Sequence, residues 1–408
     1  MRGDALGALH GIPISIKDLE MSKGIRSTSG SLPFKDRIPD EDSIVVERVK
    51  AAGAIILGKT NTPEFGHRGT TENLLGEPCR NPWNTARTPG GSSGGAAAGL
   101  AAGLSAISTG SDGGGSIRIP ASFCGLYGIK PTQGRVPRYA GRSAPIIVNQ
   151  LGQSGPITRT VRDAAILLQE LAGWDARDPG SLRDTPGDYL AALDRDISGL
   201  TIGWSPDFGY AAVDPEVVDL CSSAARVFEG MGCSVSDGGF AIESPQEPFR
   251  VIFASNTYAS SGYLLHERPD ELTDYFREAM EHGATLTAAD YARALGAIVG
   301  LKAQFDAFFE SHDLLLSPTM AVPAFEIEQH PTTIGGQEVD PFFGYLPFTY
   351  PINAIGHTAA SVPCGFSSDG MPIGLHIVGR MGDEETVLAA SAAFERAMPW
   401  ADKRPTVS

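Results

Sequence analysis

Two glycine-rich segments, each carrying serine, constrain this chain more than any other feature. They read TPGGSSGG (residues 88–95) and GSDGGGSIR (residues 110–118). A third segment, GIPISIKD (residues 11–18), places Lys17 after an alternating apolar stretch. A serine hydroxyl is a weak nucleophile until a nearby base removes its proton. Serines in flexible loops together with an upstream lysine therefore predict an acyl-transfer site that uses no histidine.

Further motifs flank these segments. Several ordered motifs are much stronger evidence than a lone GGSSGG, which could be a flexible linker. Together they resemble the amidase signature enzymes, a family of Ser–Ser–Lys hydrolases. The resemblance covers nearly the whole chain. It rests on the block 87–131, GKTNTPEF (58–65), GPITRTV (155–161), LSPT (316–319), SVPCG (361–365) and GLHIVG (374–379).

The resemblance implies a catalytic triad. Ser116 would be the nucleophile, and Ser92 would pass its proton to a neutral Lys17. An unperturbed lysine has a pKa of about 10.4, and burial lowers it by disfavouring the charged form. The apolar alternation before Lys17 is typical of a buried strand end, so we expect a lowered pKa there.

The glycines before the nucleophile are the candidate oxyanion hole. The N–H groups of Gly113, Gly114, Gly115 and Ser116 can converge on one point because glycine permits close backbone approach. Removing one such donor typically reduces the rate by about a hundred- to a thousandfold. The resemblance also implies an unusual cis peptide bond after Ser92.

Three nearby residues are predicted to support the loops. The resemblance makes Asp112 and Arg118 structural supports, joined to the loop by charge-assisted hydrogen bonds. Ser93 is interpreted as loop structure, since Ser and Gly dominate turns. Taken singly, Lys17 could also be a surface lysine and Ser116 a helix N-cap; the surrounding motifs favour catalysis.

The aromatic run FFGYLPFTY (residues 342–350) has two open interpretations. It could be core packing, or it could line an apolar acyl or aryl pocket. In the second case, Phe342, Phe343 and Tyr345 are the candidate substrate-binding residues.

Composition excludes several function classes. The formal charge of −16 argues against a nucleic-acid surface. The five cysteines form no CxxC and the eight histidines no HExxH, so we expect a reduced compartment, no metal and no cofactor. The start lacks a signal peptide's apolar region, and the small-residue stretch 96–107 is shorter than the roughly 20 residues of a membrane helix. The sequence therefore predicts a cytoplasmic enzyme with no membrane partner, in which 96–107 is a core helix behind the Ser92 loop.

Alternating strand and helix patterns predict an α/β fold. Strands are expected at 12–16, 54–57, 200–204, 314–316 and 374–378, and helices at 43–52, 160–172 and 215–231. The resemblance implies the amidase-signature fold, a mixed twisted sheet covered by helices on both faces. We interpret residues 1–408 as one domain, in which 207–336 matches the motifs poorly and would shape the substrate site.

The chain departs from the family pattern at four places. It starts close to GIPISIKD, where the family usually has several preceding helices, so the chain is N-terminally short. Gly113 stands where the family usually carries a larger residue, which predicts a more flexible oxyanion loop. Thr358 and His376 replace a frequent proline and glutamine, which indicates altered local packing.

These observations favour a cofactor-free hydrolase of small or aryl amides. A carbamate (urethane) or ester presents the same carbonyl, so carbamate hydrolysis stays open. A glutaminase subunit of a tRNA-dependent amidotransferase is a second class, although NTPEFG (residues 61–66) is more similar to free-standing amidases. A catalytically dead scaffold is the third, against which all three triad candidates are present. Homodimers are common in the family.

Overall fold

A ten-stranded mixed β-sheet forms the centre of the protein. The computed structural model describes residues 6–139, 141, 151–237 and 239–406, so the start of the chain lies outside the described residues. The strands are β1 Pro13–Lys17, β2 Ile55–Thr60, β3 Ile107–Asp112, β4 Tyr127–Lys130, β5 Gln153–Thr158, β6 Thr201–Trp204, β7 Ser234–Asp237, β8 Leu314–Pro318, β9 Thr333–Ile334, β10 Gln337–Glu338, β11 Ala359–Phe366 and β12 Pro372–Val378.

The sheet order is β2-β1-β3-β5-β4-β11-β12-β8-β6-β7, and β9 and β10 form a separate hairpin. Pairing is parallel at the two ends, where β1 lies between β2 and β3 and β6 lies between β8 and β7. The central pairs from β3 to β8 are antiparallel. Because β1 and β3 are parallel neighbours, their carboxyl ends lie at the same edge, and Lys17 and Asp112 are their last residues.

Twelve α-helices surround the sheet in the described part of the chain. They are α1 Ile44–Ala51, α2 Gly94–Ala101, α3 Arg118–Cys124, α4 Val161–Leu171, α5 Tyr189–Ala192, α6 Pro215–Arg226, α7 Gln246–Ser261, α8 Leu264–Glu267, α9 Asp274–Thr285, α10 Ala288–Phe309, α11 Tyr350–Ile355 and α12 Glu384–Ala397.

Helices cover both faces of the sheet. Successive strand residues point to opposite faces, and β8 shows the consequence. Leu314 and Leu316 pack in a core with α1, α4, α5, α6 and α12. Leu315, between them, packs in a second core with α3, α7, α10 and α11. This arrangement confirms the predicted α/β fold with helices on both faces.

The predicted elements are found, with shifts at their ends. Ser43 caps α1, and its hydroxyl accepts a hydrogen bond from the Val46 N–H. The predicted helix 215–231 ends at Arg226, and a short 3₁₀ turn, Glu229–Met231, follows it.

One predicted helix, over the stretch 96–107, is wrong in part. The helix α2 ends at Ala101, and Ile107 begins β3. Gly103 adopts a φ of 78° just beyond the helix, which is the left-handed conformation that ends many helices. None of the described helices combines the length and apolar character that a bilayer span requires.

The packing of α4 against the sheet gives a stability prediction. Leu168 is fully buried, whereas Arg162 on the same helix is exposed. We expect Leu168→Ala to lower the free energy of unfolding by about 2–5 kcal/mol, because it removes buried methyl groups and leaves a cavity. Arg162→Ala is the matched control and should change it by less than about 0.5 kcal/mol. Urea unfolding measures both; equal effects would contradict this account of the core.

Candidate active site

The candidate triad residues lie at the carboxyl-end edge of β1 and β3. Lys17 is the last residue of β1, Ser92 lies in the loop before α2, and Ser116 lies between β3 and α3. Lys17 Nζ donates a hydrogen bond of 2.8 Å to Ser92 Oγ and one of 3.1 Å to the Ser111 carbonyl. The peptide bond between Gly91 and Ser92 is cis. It therefore precedes Ser92, and the expected position after Ser92 is wrong.

Lys17 is fully buried, and its surroundings favour the neutral form of its amine. Burial lowers the pKa of Lys17 to about 7, because a charged ammonium loses its hydration there. Arg138 acts in the same direction, while Asp112 and Glu20 oppose it. A substantial fraction of this lysine is therefore neutral near neutral pH, as a general base requires.

Ser116 lines the same cavity as Ser92. The residue is 8% exposed, and its hydroxyl makes no hydrogen bond to the part of the chain that the structure describes. Its backbone carbonyl accepts a hydrogen bond from the Ser93 N–H. The Ser93 hydroxyl in turn donates to the Ser111 carbonyl and accepts from the Ser111 N–H. Ser93 thus joins the two glycine-rich segments.

The predicted oxyanion hole needs one correction. The Gly115 N–H donates to Asp112 Oδ1 at 2.7 Å, so it is not available to a substrate oxygen. The N–H groups of Gly113, Gly114 and Ser116 make no hydrogen bond within the described residues. These three donors border the cavity and are the ones that could receive an oxyanion.

Asp112 and Arg118 form a fully buried ion pair with a shortest contact of 2.9 Å. Asp112 Oδ2 also accepts hydrogen bonds from the Ile117 N–H and from Arg118 Nε. Asn353 donates to the same carboxylate through Nδ2. Burial acts to raise the pKa of Asp112, but Arg118, Lys130 and Asn353 together hold that pKa well below its usual range. This carboxylate stays ionised and fixes the loop that carries Ser116.

A cavity of about 310 Å³ opens beside the two serines. Its walls are mainly apolar and aromatic, and the charged side chains that line it are both arginines, Arg68 and Arg138. The apolar lining residues are Leu19, Phe65, Ile119, Leu151, Phe249, Phe253, Phe342, Phe343 and Leu346. The described residues contain no cluster of His, Cys, Asp and Glu that could hold a metal ion.

Comparison with known proteins identifies the family. The sequence model of the family described as Amidase matches residues 1–388. The chain belongs to the amidase signature family. It is 40% identical over 412 residues to the acylamidase of Rhodococcus erythropolis, with 100% of this chain and 85% of that protein covered.

Two further comparisons agree. A bacterial aryl acylamidase structure of the amidase signature family superimposes with a TM-score of 0.92 at 36% identity, covering 98% of this chain and 85% of that one. A glutamyl-tRNA(Gln) amidotransferase subunit from Moorella thermoacetica is 37% identical over 430 residues, covering 99% of this chain and 86% of that protein. This amidase is thus an enzyme that hydrolyses amide C–N bonds.

The predicted aromatic residues divide into two groups in this amidase. Phe342 and Phe343 line the cavity. Tyr345 does not; its ring packs against Phe325 and His330. Tyr345 is fully buried, so its contribution here is core packing.

Sequence reasoning missed several residues of the amidase site. Phe249 and Phe253, one turn apart on α7, form part of the cavity wall, and helical periodicity could have paired them. Asn353 lies in a segment that resembles the family, but the resemblance assigns it no role. Thr349, whose hydroxyl donates to the Gly114 carbonyl at 2.7 Å, carries no recognisable signal.

The glycine loop gives a steric prediction with an internal control. A Cβ at Gly115 would lie 2.4 Å from Thr349 Oγ1, and its φ of 129° disfavours a side chain. A Cβ at Gly113 would meet nothing closer than 4.0 Å. We expect Gly115→Ala to reduce kcat by at least about a hundredfold, because the displaced loop would misplace the Gly114 and Ser116 N–H groups, and losing one oxyanion donor has an effect of that size. Gly113→Ala should keep kcat within about threefold of the wild-type value, a small change compared with the loss of an oxyanion donor. Steady-state kinetics on an anilide compare the two, and similar losses in both would contradict this assignment.

Proposed function

We propose that the protein is an acylamidase that cleaves small or aryl amides through a Ser116 acyl-enzyme. The observation that carries this proposal is the buried 2.8 Å contact between Lys17 Nζ and Ser92 Oγ, beside the cavity that Ser92 and Ser116 both line. The similarity to an acylamidase and an aryl acylamidase supports the substrate class. The aromatic walls suit an aryl or apolar substituent.

The proposed mechanism moves one proton through the triad. Neutral Lys17 accepts a proton from Ser92 as Ser92 takes one from Ser116, whose Oγ then bonds to the carbonyl carbon. The N–H groups of Gly113, Gly114 and Ser116 stabilise the oxyanion. As the C–N bond breaks, Ser92 passes the proton to the leaving amine. Water, deprotonated by the same relay, then releases the acid and restores Ser116.

Carbamate hydrolysis is the second candidate. A urethane carbonyl is an electrophile of the same kind, and the cavity of about 310 Å³ with Phe249, Phe253 and Phe342 in its wall has room for an aryl carbamate. The amidotransferase alternative requires protein partners and glutamine, and it is less well supported than amide hydrolysis. The cytoplasm, expected from the sequence pattern, and a homodimer, expected from the family resemblance, are proposals for location and assembly.

A substrate panel tests the nucleophile and the substrate class together. It contains an aliphatic amide, an aryl anilide, an aryl carbamate, a p-nitrophenyl ester and glutamine. We expect the anilide to be turned over best and Ser116→Ala to lose at least about a thousandfold in kcat, since the covalent route is removed. The kcat of Ser92→Ala should fall by a similar factor, because the proton can no longer pass from Ser116 to Lys17.

Ser367→Ala is the control, because this serine hydrogen-bonds Asp369 and Met371 in a turn that contributes no residue to the cavity. Its kinetics should match the wild type. Amide turnover retained by folded Ser116→Ala would refute the proposal. A carbamate rate above the anilide rate would change the substrate class and leave the mechanism intact.

The pKa of Lys17 predicts the pH profile. Because the neutral lysine is the base, kcat/KM should rise with pH through about 7. Arg138 lowers that pKa, so Arg138→Gln should raise it and move the profile to higher pH. The kcat/KM of Arg138→Gln should be up to about fivefold below that of the wild type at pH ~7 and should reach the wild-type value at pH ~9, as expected for the loss of one partly exposed charge.

Arg250→Gln is the matched control for Arg138. Arg250 borders a neighbouring cavity of about 220 Å³ and is not among the groups that shift Lys17. Its pH profile should coincide with that of the wild type. An unshifted profile in Arg138→Gln, or equal shifts in both variants, would show that Lys17 does not set the profile.

A further inference from the structure

Behind the Asp112–Arg118 pair lies a buried histidine to which the catalytic steps assign no role. His376 is in the middle of β12, between Ser361 of β11 and Ser317 of β8. It is fully buried, as is Arg118. The distance from Arg118 Nη1 to His376 Nε2 is 3.0 Å. A fully buried imidazole beside a fully buried guanidinium requires a specific protonation state.

That state follows from donors and acceptors alone. A guanidinium has only donors, so His376 Nε2 must accept and cannot carry a proton. The remaining proton therefore lies on Nδ1, which faces Ser317 Oγ at 3.4 Å. Ser317 Oγ donates its own proton to the Pro318 carbonyl, so its lone pairs are free to accept from Nδ1. All of these hydrogen bonds can form together only if His376 is neutral and protonated on Nδ1.

The other contacts of Arg118 show what this acceptor contributes. Arg118 Nε and Nη2 donate to Asp112, and Nη2 also contacts the Thr349 carbonyl and Asn353 Oδ1. Among the described residues, Nη1 has His376 as its single partner. Without it a buried N–H loses its acceptor, which is unfavourable, and the guanidinium can rotate away from the carboxylate that fixes the Ser116 loop.

We infer that His376 is a positioning residue: as a neutral imidazole protonated on Nδ1, it accepts from Arg118 and holds the Arg118–Asp112 pair in the orientation that aligns the Ser116 loop. This role rests on the proposed function of that loop. The charged groups that act on His376 are Arg118, Asp112 and Lys130, and burial together with Arg118 keeps the pKa of His376 well below its usual range. The imidazole therefore stays neutral at the pH at which Lys17 acts.

Three variants separate positioning from packing. His376→Gln retains an acceptor, since the side-chain amide oxygen can face Arg118, and kcat should stay within about threefold of the wild type. His376→Leu keeps bulk without an acceptor, and kcat should fall by about ten- to a hundredfold with KM nearly unchanged, because the oxyanion donors act in the transition state. His357→Leu removes another buried histidine, which contacts the Gly379 carbonyl, and should leave kcat within about twofold. Wild-type kcat in folded His376→Leu would overturn the inference.

Long-range ¹H–¹⁵N NMR of histidine-labelled protein tests the tautomer without substrate. The signals that disappear in His376→Gln belong to His376, and Nε2 should have the shift of an unprotonated nitrogen and Nδ1 that of a protonated one. The opposite tautomer, or an imidazolium, would overturn the inference even if His376→Leu does not fold. The Ser116→Ala protein should give the same histidine signals. The NMR result therefore tests the tautomer of His376 whether or not Ser116 is the nucleophile, and the substrate panel tests the nucleophile separately.

Discussion

The buried ion pair of Asp112 and Arg118 is the interaction on which the site depends. A buried pair is stabilising only when further hydrogen bonds compensate both charges for lost water. Here the carboxylate also receives the N–H groups of Gly115 and Ile117 and the amide of Asn353. These bonds tie the end of β3, the glycine loop and α11 to one point. The loop conformation is therefore set by electrostatics, because glycines alone would leave it free.

The same sheet edge holds one charged and one neutral side chain a short distance apart. Lys17 and Asp112 both lie fully buried at the ends of parallel strands. Asp112 has a guanidinium beside it, so it remains charged. Lys17 has no ion-pair partner within the described residues, and its nearest contacts are Ser92 and a carbonyl, so burial favours the neutral amine. Neighbouring groups driven to different states in this way are typical of acid–base sites.

The sequence predicted the parts of the site that are encoded locally. Alternation before Lys17 indicated a buried strand, and the glycine-rich loops indicated where Ser92 and Ser116 would lie. Asn353 could not be assigned a role from the sequence, because it approaches Asp112 only through the tertiary fold, from a helix far along the chain. The use of the Gly115 N–H by the Asp112 carboxylate, and the burial of Tyr345 in the core, likewise depend on packing that no periodicity encodes.

Substrate specificity and base strength have a common physical origin in this cavity. Burial is the largest cause of the lowered pKa of Lys17, and apolar side chains such as Leu19 and Phe65 help to exclude water from the space beside Ser92. A smaller side chain near Lys17 would admit a bulkier substrate, but it would also admit water and raise the pKa of the base. Phe249 and Phe342 line the same cavity but come from segments outside the shared motifs. Substitutions at these two positions are therefore the ones expected to change the substrate range.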